Sequence, residues 1–102
     1  MSVGSIIQML FANDETIKVE EKKQYWKVMC KGVIILEVRS TSIAVIPKLW
    51  DKLNTNFKKY LEEEYIVGIF DGTRKRVQIK CCYKNLVISL CPVLIEELKK
   101  VL

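Results

Sequence analysis

A chain of 102 residues, 50% hydrophobic and 28% charged, holds enough apolar matter for one modest core and too much for a disordered chain. Its net charge of +5 is spread along the sequence; such an excess reads first as solvated surface, and otherwise as weak attraction to acidic partners, nucleic acid included. No apolar run approaches the roughly 20 residues of a membrane span, and Met1–Phe11 lacks the basic start and uninterrupted apolar stretch of a signal peptide, so a soluble, cytoplasmic protein is expected.

Ser5–Phe11 places Ile6, Ile7, Leu10 and Phe11 on one helical stripe, which predicts a short N-terminal helix, or else a strand, with Ser2 or Ser5 as the cap. Asn13-Asp14 ends it. Thr16–Glu20 alternates apolar and charged residues, the mark of a half-buried or edge strand. Tyr25–Cys30 alternates too, with Trp26, Val28 and Cys30 on one face and Tyr25, Lys27 and Met29 on the other. Lys31-Gly32 is a two-residue hairpin turn. Val33–Val38 is apolar on both faces except at Glu37, as in a central strand.

After a turn at Arg39-Ser40-Thr41, Ile43–Ile46 predicts a strand, and Pro47 opens a helix, where its missing N–H has no helical partner. Leu49, Trp50, Leu53, Phe57, Tyr60 and Leu61 form the stripe of one helix to about Glu63, with a fray or kink at Asn54-Thr55-Asn56. Tyr65–Phe70 and Arg74–Cys82 predict two strands joined by the hairpin signal Asp71-Gly72. A four-residue connection, Tyr83–Leu86, then leads to a strand over Leu86–Leu90 that pairs Cys81 with Ile88, and Pro92–Leu102 predicts the last helix.

The stretch Ile43–Leu53 recurs as Ile88–Leu98, with Ile43, Pro47, Leu49 and Leu53 matching Ile88, Pro92, Leu94 and Leu98. The expected fold is therefore α+β: an internal duplication of a strand-strand-strand-helix motif, antiparallel sheets with helices packed on one face, preceded by a short N-terminal helix or strand. Residues 1–24 are the N-terminal extension of a single domain, 25–63 the first repeat and 65–102 the second.

Chemistry is sparse. There is no His for acid–base work, the carboxylates fall in turns and on helix faces, and Gly4, Gly32, Gly68 and Gly72 are isolated rather than gathered into a phosphate loop. Cys30, Cys81, Cys82 and Cys91 have no zinc-ligand spacing and read as small buried hydrophobes, with a disulfide from Cys30 to the second half left open. The expectation is a protein that is not an enzyme, with no cofactor, no metal and no small-molecule substrate.

Two features remain. Tyr25, Lys27, Met29, Tyr65, Val67, Ile69, Arg74 and Arg76 give apolar strand positions rimmed by cations, more than two or three helices can cover. They predict a surface for a protein or peptide partner, between the repeats or at a sheet edge, or for a homodimer. Arg74, Lys75, Arg76 and Lys80 carry the alternative, a weak sequence-independent nucleic-acid contact.

Lys and Glu dominate the charged residues and His is absent, a composition compatible with a hyperthermophile. In length, composition and general look the chain is similar to the small orphan proteins of filamentous viruses that infect hyperthermophilic archaea. That resemblance implies a protein of the host cytoplasm meeting a viral or host partner; it rests on no motif and assigns no residue.

Overall fold

A computed structural model describes residues 2–71 and 75–102. Helix α1 (Val3–Leu10) starts at Ser2, whose hydroxyl accepts from the Ser5 N–H at 3.1 Å and so satisfies one of the orphan donors of the first turn. Strands β1 (Ile17–Glu21), β2 (Trp26–Cys30), β3 (Val33–Val38) and β4 (Ser42–Val45) follow. The β2–β3 hairpin closes with Lys31 at φ 52° and Gly32 at φ 80°, the paired left-handed conformation whose twist matches that of the strands.

Next come α2 (Pro47–Lys52), α3 (Thr55–Glu64), β5 (Ile66–Asp71), β6 (Lys75–Lys80) and α4 (Lys84–Lys99). Pro47 stands in the first turn of α2, as expected. The single helix expected to Glu63 is two. Leu53 is extended at ψ 151°, and the Asn54 side chain accepts from the Asn56 and Phe57 N–H groups, so the poor helical run makes a stop and a fresh cap.

The six strands of the described residues join one antiparallel sheet in the order β1-β2-β3-β4-β6-β5. Cross-strand partners share a face. Val19, Val28, Val38, Ile43, Ile79 and Val67 therefore lie on one side, and these positions join Ile7, Leu49, Leu53, Leu61, Leu94 and Leu98 in the core cluster. The cluster takes buried residues from all four helices and from that strand face alone. In β3 the register shifts between Val28↔Leu36 and Met29↔Ile34, which leaves Ile35 as an extra residue; through this bulge both Ile35 and Leu36 are buried.

The duplicated strand-strand-strand-helix motif is not what the chain forms. Among its described residues the second half has two strands, and Leu86–Leu90 lies inside α4 rather than in a strand. Pro92 is interior to that helix. Helix wins there because Val87, Leu90, Cys91, Leu94, Ile95 and Leu98 are buried at spacings of three and four, one stripe that spans the proline. Cys81 accordingly does not face Ile88; its N–H donates to the Thr41 carbonyl at 2.7 Å. With one continuous sheet and no matching halves, the groove expected between repeats has no counterpart.

Candidate functional site

The sheet face opposite the helices carries the polar half of each alternation. One row crosses all six strands: Glu20, Lys27, Glu37, Ala44, Gln78 and Gly68, each paired with the next. Beside it stand Lys18 opposite Met29, and Lys80 between Ser42 and Ile66. Glu20 meets Lys18 at 3.1 Å, Lys27 at 3.4 Å and Lys22 at 3.5 Å. Hydrogen bonds from Lys18 and then Lys27 hold its carboxyl down at about 2. The Arg76 Nε lies 3.3 Å from Glu37, whose side chain is only 6% exposed. The Arg39 guanidinium sits over the Tyr25 ring at 5.1 Å. A carboxylate held ionised by Lys18 and Lys27 is not an acid catalyst at neutral pH; it organises cations.

Of the residues singled out from sequence, Tyr25, Lys27, Met29, Arg76 and Lys80 come together on this face by strand parity. Tyr65, Val67 and Ile69 have the opposite parity, on the helix side of β5, and Lys75 shares it at the start of β6. Arg74 lies outside the described residues. Sequence reasoning passed over Glu20, Gln78, Ile66 and Gly68. For Glu37 the signal was present, as the one charge in an otherwise apolar strand.

The sheet has two edges. β1 carries Lys18, Glu20 and Glu21, the charged dress by which edges discourage unwanted pairing. β5 is different: Ile66 is 69% and Ile69 65% exposed. Its backbone is also open, as the ladder shows. Cys81 N–H donates to Thr41 O, and Arg39 N–H to Ser42 O at 2.8 Å. Backbone groups alternate in direction along a strand, so Lys80, Gln78 and Arg76 point their N–H and C=O at β5. Their partners Ile66, Gly68 and Phe70 point back. Val67 and Ile69 consequently aim N–H and C=O outward from the sheet. At the N-terminal end of this edge lies a shallow depression lined by Glu63, Glu64, Tyr65, Ile66, Lys80 and Leu86. Burial pushes the Tyr65 phenol upward.

The cysteines are all free. Cys30, Cys81 and Cys91 are buried and Cys82 is exposed, so the disulfide left open for Cys30 is not formed. Burial pushes the Cys81 thiol up to about 11 and the Cys91 thiol higher still, which keeps both protonated and unreactive at neutral pH. Among the described residues, no three His, Cys, Asp or Glu side chains gather where a metal ion would sit, and no helix is long and apolar enough to cross a membrane. Compared with known proteins, the chain matches no family model, no curated protein and no solved structure.

Proposed function

We propose that the chain is a non-enzymatic interaction module that accepts an extended segment as a further antiparallel strand along β5. The observation that carries this reading is the outward N–H and C=O of Val67 and Ile69 on an edge whose Ile66 and Ile69 side chains stand in solvent. Main-chain pairing of that kind supplies affinity, and alternate side chains supply selectivity. The apolar residues flanking this edge favour a partner with β-branched or aromatic residues at alternate positions.

Display of a library of extended peptides with alternating apolar positions tests it. The discriminating variant is Ile69→Pro, which deletes an outward N–H without touching the bonds to β6, and proline is tolerated at such edge positions. Capture by the native chain and at least tenfold weaker capture by the folded variant is the expected result. Equal capture by both, or none by a chain that stays monomeric, overturns the reading.

The alternative, nucleic acid lying across the open face, draws on Lys27, Arg76 and Lys80. Lys27 is engaged with Glu20 and Arg76 with Glu37, so phosphate contacts would first have to break ion pairs on the sheet. A binding titration at two salt concentrations decides it: affinity that falls steeply with salt and with Lys80→Ala supports it, and no binding at low salt ends it.

A further inference from the structure

We infer that the strand that occupies the β5 edge is the β5 of a second copy of this chain, paired about a two-fold axis through Gly68. The inference deepens the edge-pairing reading and rests on it.

The first observation is Gly68 itself. It sits mid-strand, where glycine weakens a sheet. Among the described residues nothing requires glycine there: a Cβ would meet no atom within 4 Å, and its φ is not in the left-handed region. A glycine with no intramolecular reason, on a bare edge, marks a place where another backbone approaches closely.

The ladder supplies the second. In a symmetric antiparallel pairing centred on Gly68, Val67 meets Ile69 of the second copy and Ile69 meets its Val67. Val67 and Ile69 are the residues whose N–H and C=O point outward, so each of these pairs exchanges both hydrogen bonds. Gly68 then meets Gly68 as a non-hydrogen-bonded pair, the type with Cα atoms only about 4.5 Å apart. Parity of hydrogen bonding is satisfied by this axis, and the position of the glycine selects it among those that parity allows.

The side chains agree. Around Gly68 the strand reads Ile-Val before and Ile after, so on the helix side Val67 lies opposite Ile69 and apolar meets apolar. The two-fold also lays the N-terminal end of each β5 beside the C-terminal end of the other. Exposed Glu63 and Glu64 then approach the hairpin end that carries exposed Lys75. The interface is isologous, and the product is one continuous sheet of two copies with β1 at each end, the edge that charge protects.

Sedimentation of the full chain over a concentration series, combined with cysteine pairing under mild oxidation, tests this. A Cys82→Ser background removes the exposed thiol. In it, Gly68→Cys places two thiols across the axis at a Cα separation within disulfide range, whereas Ile66→Cys faces Phe70 and not itself. The expected results are a dimer for the native chain, a disulfide-linked dimer for Gly68→Cys, none for Ile66→Cys, and at least tenfold weaker association for Ile69→Pro. A native chain that stays monomeric throughout overturns self-pairing, as does a Gly68→Cys chain that still sediments as a dimer but is not linked by oxidation. If that monomer still captures extended peptides in an Ile69-dependent way, the edge module stands and only its partner is reassigned. If it captures none, both fall.

Discussion

Arg76 Nε meets the Glu37 carboxylate at 3.3 Å on the helix-free side of the sheet, across β4 where the intervening row position is Ala44. The short alanine side chain leaves room for the guanidinium to reach over the strand. Arg76 also donates to its neighbour's carbonyl, Lys75 O, at 2.8 Å, which fixes the head group.

That pair is far from solvent on one side, with side-chain exposures of 18% for Arg76 and 6% for Glu37. Removing the arginine takes one cation away from a buried carboxylate, whereas replacing both leaves no charge to solvate. Arg76→Met should cost about 2 kcal/mol, and Glu37→Met added to it should recover part of that loss. Urea unfolding of both single variants and the double variant gives the coupling.

Asp14 and Glu20 add a pH-dependent share to stability in acid. Hydrogen bonds from Lys99 and Thr16 lower Asp14 from 3.8 to about 2, and hydrogen bonds from Lys18 and Lys27 lower Glu20 from 4.5 to about 2. A group depressed in the folded state stabilises above its unfolded value and loses that contribution as pH falls through its folded one. Stability should therefore hold near neutrality and decline from about pH 4.5 down to about pH 2. Asp14→Asn and Glu20→Gln should each flatten that decline, read as urea midpoints across the range. Lys99 is raised by the same contact with Asp14, so its share is present below 10.5 and is lost as pH rises through its folded value.

At Gly4 the need for glycine is internal to the chain. A Cβ at position 4 would fall inside the indole of Trp26, so the backbone of α1 lies directly on that ring. Alanine improves helix propensity by about 1 kcal/mol, yet overpacking costs about 1–3 kcal/mol. Gly4→Ala should lower stability by about 1 kcal/mol and shift tryptophan fluorescence as α1 is pushed off the sheet.

Alternation made most of the sheet legible. Trp26, Val28 and Cys30 sort from Tyr25, Lys27 and Met29 because side chains on a strand change face at each residue, and Lys31-Gly32 declares its turn through backbone sterics. The cap at Asn54 was legible as a weak point, though not as a full break, because Phe57 and Leu61 stay in phase across it. Strand order was not legible. The pairing of Ile43 with Ile79 joins distant segments, and no local pattern encodes which strand lies beside which. The cluster on the open face follows from that order, so Lys27 and Arg76 could be named but not placed together. The bare edge was hidden for the same reason, since only the ladder tells that Val67 and Ile69 face outward.

Sequence pattern and structure part most widely in α4. Leu86–Leu90 is apolar enough for a strand, and Pro92 looked like a first-turn residue because proline in a helix interior costs about 3 kcal/mol relative to alanine. The structure places it there all the same, since the stripe from Val87 to Leu98 buries six side chains against the sheet and α1. The cost remains: proline has no N–H for the Ile88 carbonyl, and its ring crowds that turn. Pro92 is only half-buried, so shortening it opens little cavity. Pro92→Ala should then stabilise the protein by about 1–2 kcal/mol and raise helical circular dichroism. Were Leu86–Leu90 a strand ending at a proline-led helix, the same substitution would remove a favourable first-turn residue and stability would fall; the sign of the change in urea midpoint separates the two.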